Sequence, residues 1–176
     1  MIIGFDLQPL VQGESGGIVQ WLGGIIGAYA TRFPGDRILL FEPDDFSFAL
    51  PPHPSIERIR APRNRLHALE AEVLRSRSAD VLVRSYPDVS HPDFPMQRQI
   101  VVIPDLQHAE RPEFFSPETL RARRLAFGRL LSEAGAVGTM TQFSRASIVR
   151  YPWTACDDIF LMPPALDPAH KRGDIA

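Results

Sequence analysis

The sequence predicts an α/β fold in which a parallel sheet of about six to seven strands carries helices on both faces. Short apolar runs alternate with longer stretches of helical periodicity along most of the 176 residues. The short runs are apolar at successive positions, which is typical of strands that are buried on both faces of a parallel sheet. Many of the 17 prolines lie between these segments, where loops must be held in shape.

The first predicted helix follows the first strand after a loop. Residues 2–7 predict a buried strand, and Gly16-Gly17 opens the helix. Its apolar side chains recur with a 3.6-residue period. They are Ile18, Leu22, Ile25, Ile26, Tyr29 and Ala30. Three glycines inside the helix each cost roughly 1 kcal/mol relative to alanine, so we expect the helix to pack very close to the sheet. These are Gly23, Gly24 and Gly27.

The remaining elements continue the alternation of strands and helices. Further strands are predicted over residues 37–42, 56–60, 80–84, 100–103, 137–140 and 159–162. Further helices are predicted over 64–77, from Ser116 to about Ala134, and from Thr141 to before Pro152. Ser116-Pro117-Glu118 is a strong helix start, because it combines an N-cap hydroxyl, a proline at the first position and an early acid.

Composition and charge exclude several classes of protein. A net charge of -2 gives no electrostatic case for binding nucleic acid. Cys156 is the only cysteine, which excludes a disulfide framework and a cysteine-based metal site, and the histidines lack metal-ligand spacing. No run approaches the roughly 18 apolar residues of a membrane span, and no secretory signal opens the chain. We therefore expect a cytoplasmic protein without a metal site.

The loop after the fifth predicted strand is the most informative segment for function. An acid, an amide, an imidazole and a guanidinium follow one another there, as Asp105, Gln107, His108 and Arg111. Ligands of open α/β sheets bind beyond the carboxyl ends of the strands. Asp105 could then orient a hydroxyl and His108 accept its proton. The alternative is that Asp105 caps the next turn, that His108 is an exposed loop residue, and that Arg111 pairs with Glu110 or Glu113.

Two further groups of residues have both a functional and a structural interpretation. Gly16 and Gly17 could let an anionic group approach the positive end of the first helix, or could serve only as a tight turn. The full G-x-G-x-x-G fingerprint is absent. Arginines alternate around the end of the third strand and could form a basic rim for an anionic acceptor, or a solvated face. They are Arg58, Arg60, Arg63 and Arg65.

Several motifs, in this order, resemble the N-terminal domain of family 4 retaining glycosyltransferases of the GT-B type, which consist of two Rossmann-like domains. They are Gly16-Gly17-Ile18, Ile103-Pro104-Asp105-Leu106-Gln107-His108 with Pro112-Glu113-Phe114-Phe115, Thr141-Gln142-Phe143-Ser144-Arg145, and the stretch 159–167. The resemblance covers nearly the whole chain. It implies that residues 1–165 are the acceptor-side domain, that 166–176 begin an interdomain linker, and that the C-terminal donor domain is absent.

The resemblance implies transfer of a sugar from a nucleotide-sugar donor to a hydroxyl of a glycan or lipid-linked acceptor, as in polysaccharide synthesis. Asp105 and His108 would be catalytic, and Gly16 and Gly17 would contact the donor phosphates. Acceptor-binding residues would be Arg63, Arg65 and Arg111. The resemblance implies no bound cofactor, since the nucleotide-sugar is a substrate. The expected partners are these two substrates and the chain's own C-terminal domain. The protein would be located in the cytoplasm, including the inner face of the membrane.

One departure from the family pattern keeps a second interpretation open. The family has a histidine before the aspartate, where this chain has Pro104. His108 replaces that imidazole only if the loop folds back. The alternative function is a non-catalytic, Rossmann-like binding or scaffold module. In either case we expect these 176 residues to be inactive as an isolated fragment, because the family grips the sugar nucleotide mainly with the second domain.

Overall fold

The computed structural model describes residues 1–87 and 93–164. In this part of the chain, seven parallel strands form one sheet with helices on both faces, a Rossmann-like α/β fold that confirms the predicted fold class. The strands are β1 (Ile2–Asp6), β2 (Arg37–Pro43), β3 (Ile56–Ala61), β4 (Val81–Arg84), β5 (Gln99–Val102), β6 (Ala136–Thr139) and β7 (Ile159–Leu161). The helices are α1 (Gly16–Arg32), α2 (Arg63–Ser76), α3 (Gln107–Glu110), α4 (Pro117–Glu133) and α5 (Gln142–Arg150).

The order of the strands reverses between β1 and β4. The strand order is β3-β2-β1-β4-β5-β6-β7. Strands β2 and β3 are therefore added on one side of β1, and strands β4 to β7 on the other side. Because parallel crossovers are right-handed, this reversal places α1 on one face and α2, α4 and α5 on the other. The side-chain clusters agree, since Leu22 of α1 packs with Phe5, whereas Phe127 of α4 packs with Val101 on the opposite face.

The helix starts predicted from capping residues are confirmed. Ser116 Oγ accepts a hydrogen bond from the N–H of Thr119 at 3.2 Å, directly before Pro117 begins α4. Thr141 Oγ1 accepts one from the N–H of Ser144 at 3.0 Å at the start of α5. The predicted bounds agree with the structure to within about two residues, and the structure adds the short α3 inside a segment predicted as loop.

The expected reason for the glycines in α1 was wrong. A Cβ on Gly23 or Gly27 would meet Phe48 or Leu50 at ordinary contact distances of 3.8 and 3.7 Å, so these glycines face the segment after β2 and not the sheet. The close approach occurs instead at Gly4 in β1. A Cβ there would lie 2.9 Å from Leu74 of α2, so the absence of a side chain lets α2 pack tightly on the central strands.

Part of what the sequence predicts concerns residues outside the described ranges. The predicted linker, residues 166–176, lies there, and so does part of the segment between the predicted strands 80–84 and 100–103. Among the helices that are described, none is both long enough and apolar enough to pass through a membrane.

We predict that Gly135→Ala destabilises the fold strongly. A Cβ on Gly135 would collide with the main-chain carbonyl of Gln97, so the turn before β6 must shift. Such overpacking costs typically 1–3 kcal/mol, and urea unfolding would measure it. Gly35→Ala is the matched control, because a Cβ there meets nothing within 4 Å. Equal unfolding midpoints for the two variants would contradict the prediction.

Candidate functional site

The segments that follow β1, β4, β5 and β6 begin at one edge of the sheet, because all seven strands are parallel. Open α/β sheets bind their ligands at this edge, in the crevice where the strand order reverses. Only β4 separates β1 from β5, so the ends of β1 and β5 are roughly 10 Å apart. The glycine loop and the Asp105 loop, which the sequence singled out separately, therefore share an edge.

The N-terminal part of α1 contacts the far half of the sheet. Trp21 donates a hydrogen bond from its indole N–H to the carbonyl of Met162, at 2.8 Å, just beyond β7. Ile18, one turn earlier in sequence, belongs to the hydrophobic cluster on this face of the sheet. The hydrogen bond therefore joins the start of α1 to the carboxyl end of β7.

Gly16 and Gly17 leave the N-terminus of α1 open. Gly16 has a φ of +34°, a left-handed value that favours glycine, and a Cβ on either residue would meet nothing within 4 Å. Ser15, the N-cap residue, makes no side-chain cap, because its Oγ accepts the N–H of Val11 at 2.8 Å. This geometry agrees both with a plain turn and with a phosphate site at Gly16 and Gly17. A contact between these glycines and the donor phosphates stays a prediction.

Asp105 caps the turn that leads into the short helix α3, whose N-cap residue is Leu106. The Asp105 Oδ1 accepts the N–H of Gln107 at 2.9 Å, and the side chain is exposed at the carboxyl edge. The structural interpretation is thus confirmed for one carboxylate oxygen. The predicted catalytic role stays a prediction. The hydrogen bond to Oδ1 fixes the direction of the carboxylate at the edge where a ligand would lie.

His108 is fully buried, so its interpretation as an exposed loop residue was wrong. Its ring packs against Phe127, with centroids 4.6 Å apart, and its Nε2 lies 3.4 Å from the Tyr151 hydroxyl. Burial, and then the charges of Arg123 and Arg124, lower the pKa of His108. Phe127 belongs to the face opposite α1, so the structure does not bring His108 together with Gly16 and Gly17. The predicted catalytic role of His108 is not supported by this placement.

Arg63 holds the loop after β1. Its guanidinium donates to the carbonyls of Gln8 and Leu10, at 2.5 and 2.8 Å, and to the Asp45 carboxylate at 2.9 Å. These three contacts occupy the side chain that was predicted to bind the acceptor. Arg65, in the first turn of α2, is exposed, and an acceptor contact through Arg65 stays a prediction.

Arg111 is exposed and lies 3.8 Å from the Glu113 carboxylate, which matches the salt-bridge alternative. At this distance and exposure the pair contributes little stability. Glu110, the other proposed partner, instead accepts a hydrogen bond from the Ser147 hydroxyl at 2.6 Å. An acceptor contact through Arg111 also stays a prediction.

Arg58 and Arg60 form neither a free basic rim nor a merely solvated face. Both contact Glu42, whose side chain is fully buried, at 3.2 and 3.1 Å. They also donate to main-chain carbonyls of the segment after β2, those of Phe46, Phe48 and Leu50. Burial raises the pKa of Glu42, and the two guanidiniums oppose that rise. The alternating arginines therefore fasten a loop at the site edge.

Sequence reasoning missed a buried polar cluster under the end of β1. Asp6 and Arg84 are register partners at the ends of β1 and β4, are both fully buried, and lie 3.8 Å apart. Glu70 of α2 is also fully buried, and its Oε2 lies 3.8 Å from Nδ1 of His67. The available signal was an acid between Leu66 and Leu74, at the four-residue spacing of the buried stripe of α2.

The environment of Glu70 favours its protonated form. Burial, and then the nearby charge of Asp6, raise the pKa of Glu70 to about 7, against opposing effects of His67 and Arg84. The interaction with Glu70 raises the pKa of His67. Neither Glu70 oxygen accepts a hydrogen bond from the described residues. A carboxyl group with a raised pKa therefore lies directly behind the crevice where the strand order reverses.

Comparisons with known proteins do not identify the chain. No protein-family model matches it, and no curated protein sequence is significantly similar to it. Among the described residues, no group of three or more histidine, cysteine or acidic side chains is placed to hold a metal ion. The function is therefore inferred from the Rossmann-like fold, the shared strand edge and the motifs.

We predict that stability falls as the pH rises through the titration of Glu70. The carboxyl loses its proton near its ordinary pKa of 4.5 when unfolded, but only at about 7 when folded. Between these values the folded state binds more protons, so the free energy of unfolding decreases with rising pH, by up to roughly 3 kcal/mol. The raised pKa of His67 acts in the same direction.

Glu70→Gln should flatten this dependence and raise stability at slightly alkaline pH, as measured by urea unfolding at a series of pH values. Glu72→Gln is the control, because Glu72 is exposed on the same helix. The same pH dependence in wild type and Glu70→Gln would show that Glu70 does not titrate in this range.

Proposed function

We propose that the chain is the acceptor-side half of a retaining glycosyltransferase of the GT-B type. The enzyme would move a sugar from a nucleotide-sugar donor to a hydroxyl of a glycan or lipid-linked acceptor. The observation that carries the proposal is the common strand edge of two groups, the open glycine start of α1 and the exposed Asp105. The motifs that resemble this family contain the same two groups.

In this proposal α1 binds the donor phosphates through its main chain. Glycine at positions 16 and 17 removes the side chains that would keep a phosphate away from the helix end. The partial positive charge of a helix N-terminus stabilises negative charge that develops on the departing diphosphate. Positioning and charge stabilisation of this kind use no metal and no organic cofactor from the protein.

Asp105 would orient the acceptor or the transferred sugar. One carboxylate oxygen is held by the N–H of Gln107, so the other can accept a hydrogen bond from a sugar hydroxyl in a fixed direction. A well-oriented reacting group removes much of the entropic barrier of a two-substrate reaction. The nucleotide and sugar of the donor would be gripped mainly by a second Rossmann-like domain, so the 176 residues alone should transfer no sugar.

A non-catalytic binding or scaffold module is the second candidate. It is favoured by Pro104 in the position of the family histidine and by the complete burial of His108. Pro104 has no imidazole, and the imidazole of His108 is buried away from the crevice. A general base in the crevice would therefore have to be Asp105 or a group outside the described residues. Such a module would bind glycan or nucleotide without turnover.

A donor screen separates the two candidates. The natural protein that contains this chain would be incubated with a panel of nucleotide-sugars and glycan acceptors, and nucleotide release would be measured. The transferase proposal expects release that depends on the acceptor, and none from the 176-residue chain tested in parallel. Binding of glycans without release for any donor would favour the module instead.

We predict that Asp105→Ala lowers turnover at least roughly 100-fold in the natural protein, a loss typical of a positioned acid or base. Stability should fall by only about 1 kcal/mol, the usual net contribution of one hydrogen bond. Steady-state kinetics and thermal unfolding would be measured together. Asp157→Ala, at another exposed aspartate, is the control. Unchanged kinetics for Asp105→Ala would remove this residue from the site.

We predict that Gly17→Leu preserves the fold but weakens donor binding. A Cβ at position 17 meets nothing within 4 Å, so the larger side chain fits the isolated structure. It would occupy the space through which a phosphate reaches the helix end, and the KM for the donor should rise roughly tenfold or more, which corresponds to about 1.4 kcal/mol. Gly35→Leu, in an equally open turn, is the control. Equal KM values would support the plain-turn interpretation.

A further inference from the structure

One segment of the chain has a clear excess of basic over acidic residues, although it holds only six of the 19 basic residues. Between Thr119 and Cys156 the sequence contains six arginines and one acid, a net charge of +5. The other residues together carry -7, so the overall value of -2 conceals a strongly polarised molecule. The segment includes α4 and α5, which pack on the same face of the sheet through Phe127, Leu130 and Ile148.

An exposed apolar concavity lies on the outer side of α4. Its volume is about 360 Å³, and we call its lining the Trp153 patch: Pro117, Leu120, Arg121, Arg124, Leu125 and Trp153. The side chains of Leu125 and Trp153 are 68% and 51% exposed. The indole is held in place, because it packs so closely over Gly128 that a Cβ there would lie 2.9 Å from the ring.

The two arginines of the patch are available to an external anion. Within residues 1–87 and 93–164, neither Arg121 nor Arg124 forms a salt bridge or a side-chain hydrogen bond, and both are exposed. This differs from Arg129 on the same helix, which pairs with Glu133 at 3.3 Å. The patch thus places two unpaired guanidiniums beside a fixed indole and an exposed leucine.

We infer that the Trp153 patch docks on an anionic lipid surface. Tryptophan and leucine side chains partition to the boundary between head groups and acyl chains, and arginines beside them bind lipid phosphates. A nucleic acid would neutralise the arginines but gives no reason for an exposed Leu125, and an acidic protein would be distinguished by binding of soluble polyglutamate. Of the basic rim predicted from the sequence, Arg58, Arg60 and Arg63 bind the chain's own loops. Among the described residues, Arg121 and Arg124 instead lie unpaired beside exposed apolar side chains. This inference does not depend on transferase activity.

Vesicle binding tests the inference on the 176-residue chain. Flotation would be measured with vesicles of phosphatidylcholine containing about a third phosphatidylglycerol, and with pure phosphatidylcholine. We expect binding to the anionic vesicles only, weakened by salt. Arg121→Gln combined with Arg124→Gln should bind roughly 30-fold more weakly, because each basic residue near an anionic surface contributes about a fivefold effect.

A matched control exists on α1, where Arg32 lies over the exposed ring of Phe33. Arg32→Gln with Phe33→Ser should leave vesicle binding unchanged, whereas Leu125→Ser should weaken it. Tryptophan emission should shift to the blue on binding through Trp153, since Trp21 is only 4% exposed. Binding to polyglutamate but not to anionic vesicles, equal binding to both vesicle types, or equal losses in the control variant would each overturn the inference.

Discussion

Pairing between β1 and β4 is the constraint on which the rest of the molecule depends. At this pair the strand order reverses, and Gly4 lies opposite Leu82 while Asp6 lies opposite Arg84. Because Gly4 has no side chain, α2 reaches the strands and buries Glu70 against these two charges. The close packing of α2 on the central strands and the buried polar cluster beneath it thus both depend on the pairing of β1 with β4.

The crevice edge is built by arginines that bind main-chain carbonyls. Arg63 holds the loop after β1, and Arg58 and Arg60 hold the segment after β2 around the buried Glu42. A guanidinium suits this work because its rigid fork of donors can serve two acceptors at once, which a lysine ammonium does less well. Lys171 is the only lysine of the chain, so arginines form these structural contacts and also provide the exposed positive charges of α4.

The fold was predictable because its signals are local. Apolar runs and cap residues such as Ser116 and Thr141 act within a few residues, so strands and helix starts could be located from the sequence. The site was predictable only in part. Glycine at positions 16 and 17 and Asp105 were placed correctly at one edge, since strand direction alone determines that edge.

The remaining errors concern side chains whose partners are distant in sequence. The burial of His108 depends on Phe127 and Tyr151, and the role of Arg63 depends on carbonyls 53 and 55 residues away. The burial of Glu70 beside Asp6 and Arg84 depends on β1 and β4, which are distant from α2 in the sequence. Periodicity describes which face of an element is inward, but it does not say which charged groups meet there.

The hydrogen bond between Trp21 and Met162 joins residues 141 positions apart and has a consequence for the order in which the molecule forms. When Trp21 leaves the ribosome, its acceptor has not yet been translated. This hydrogen bond can therefore form only after residue 162 has been made, and contacts of such long range slow folding.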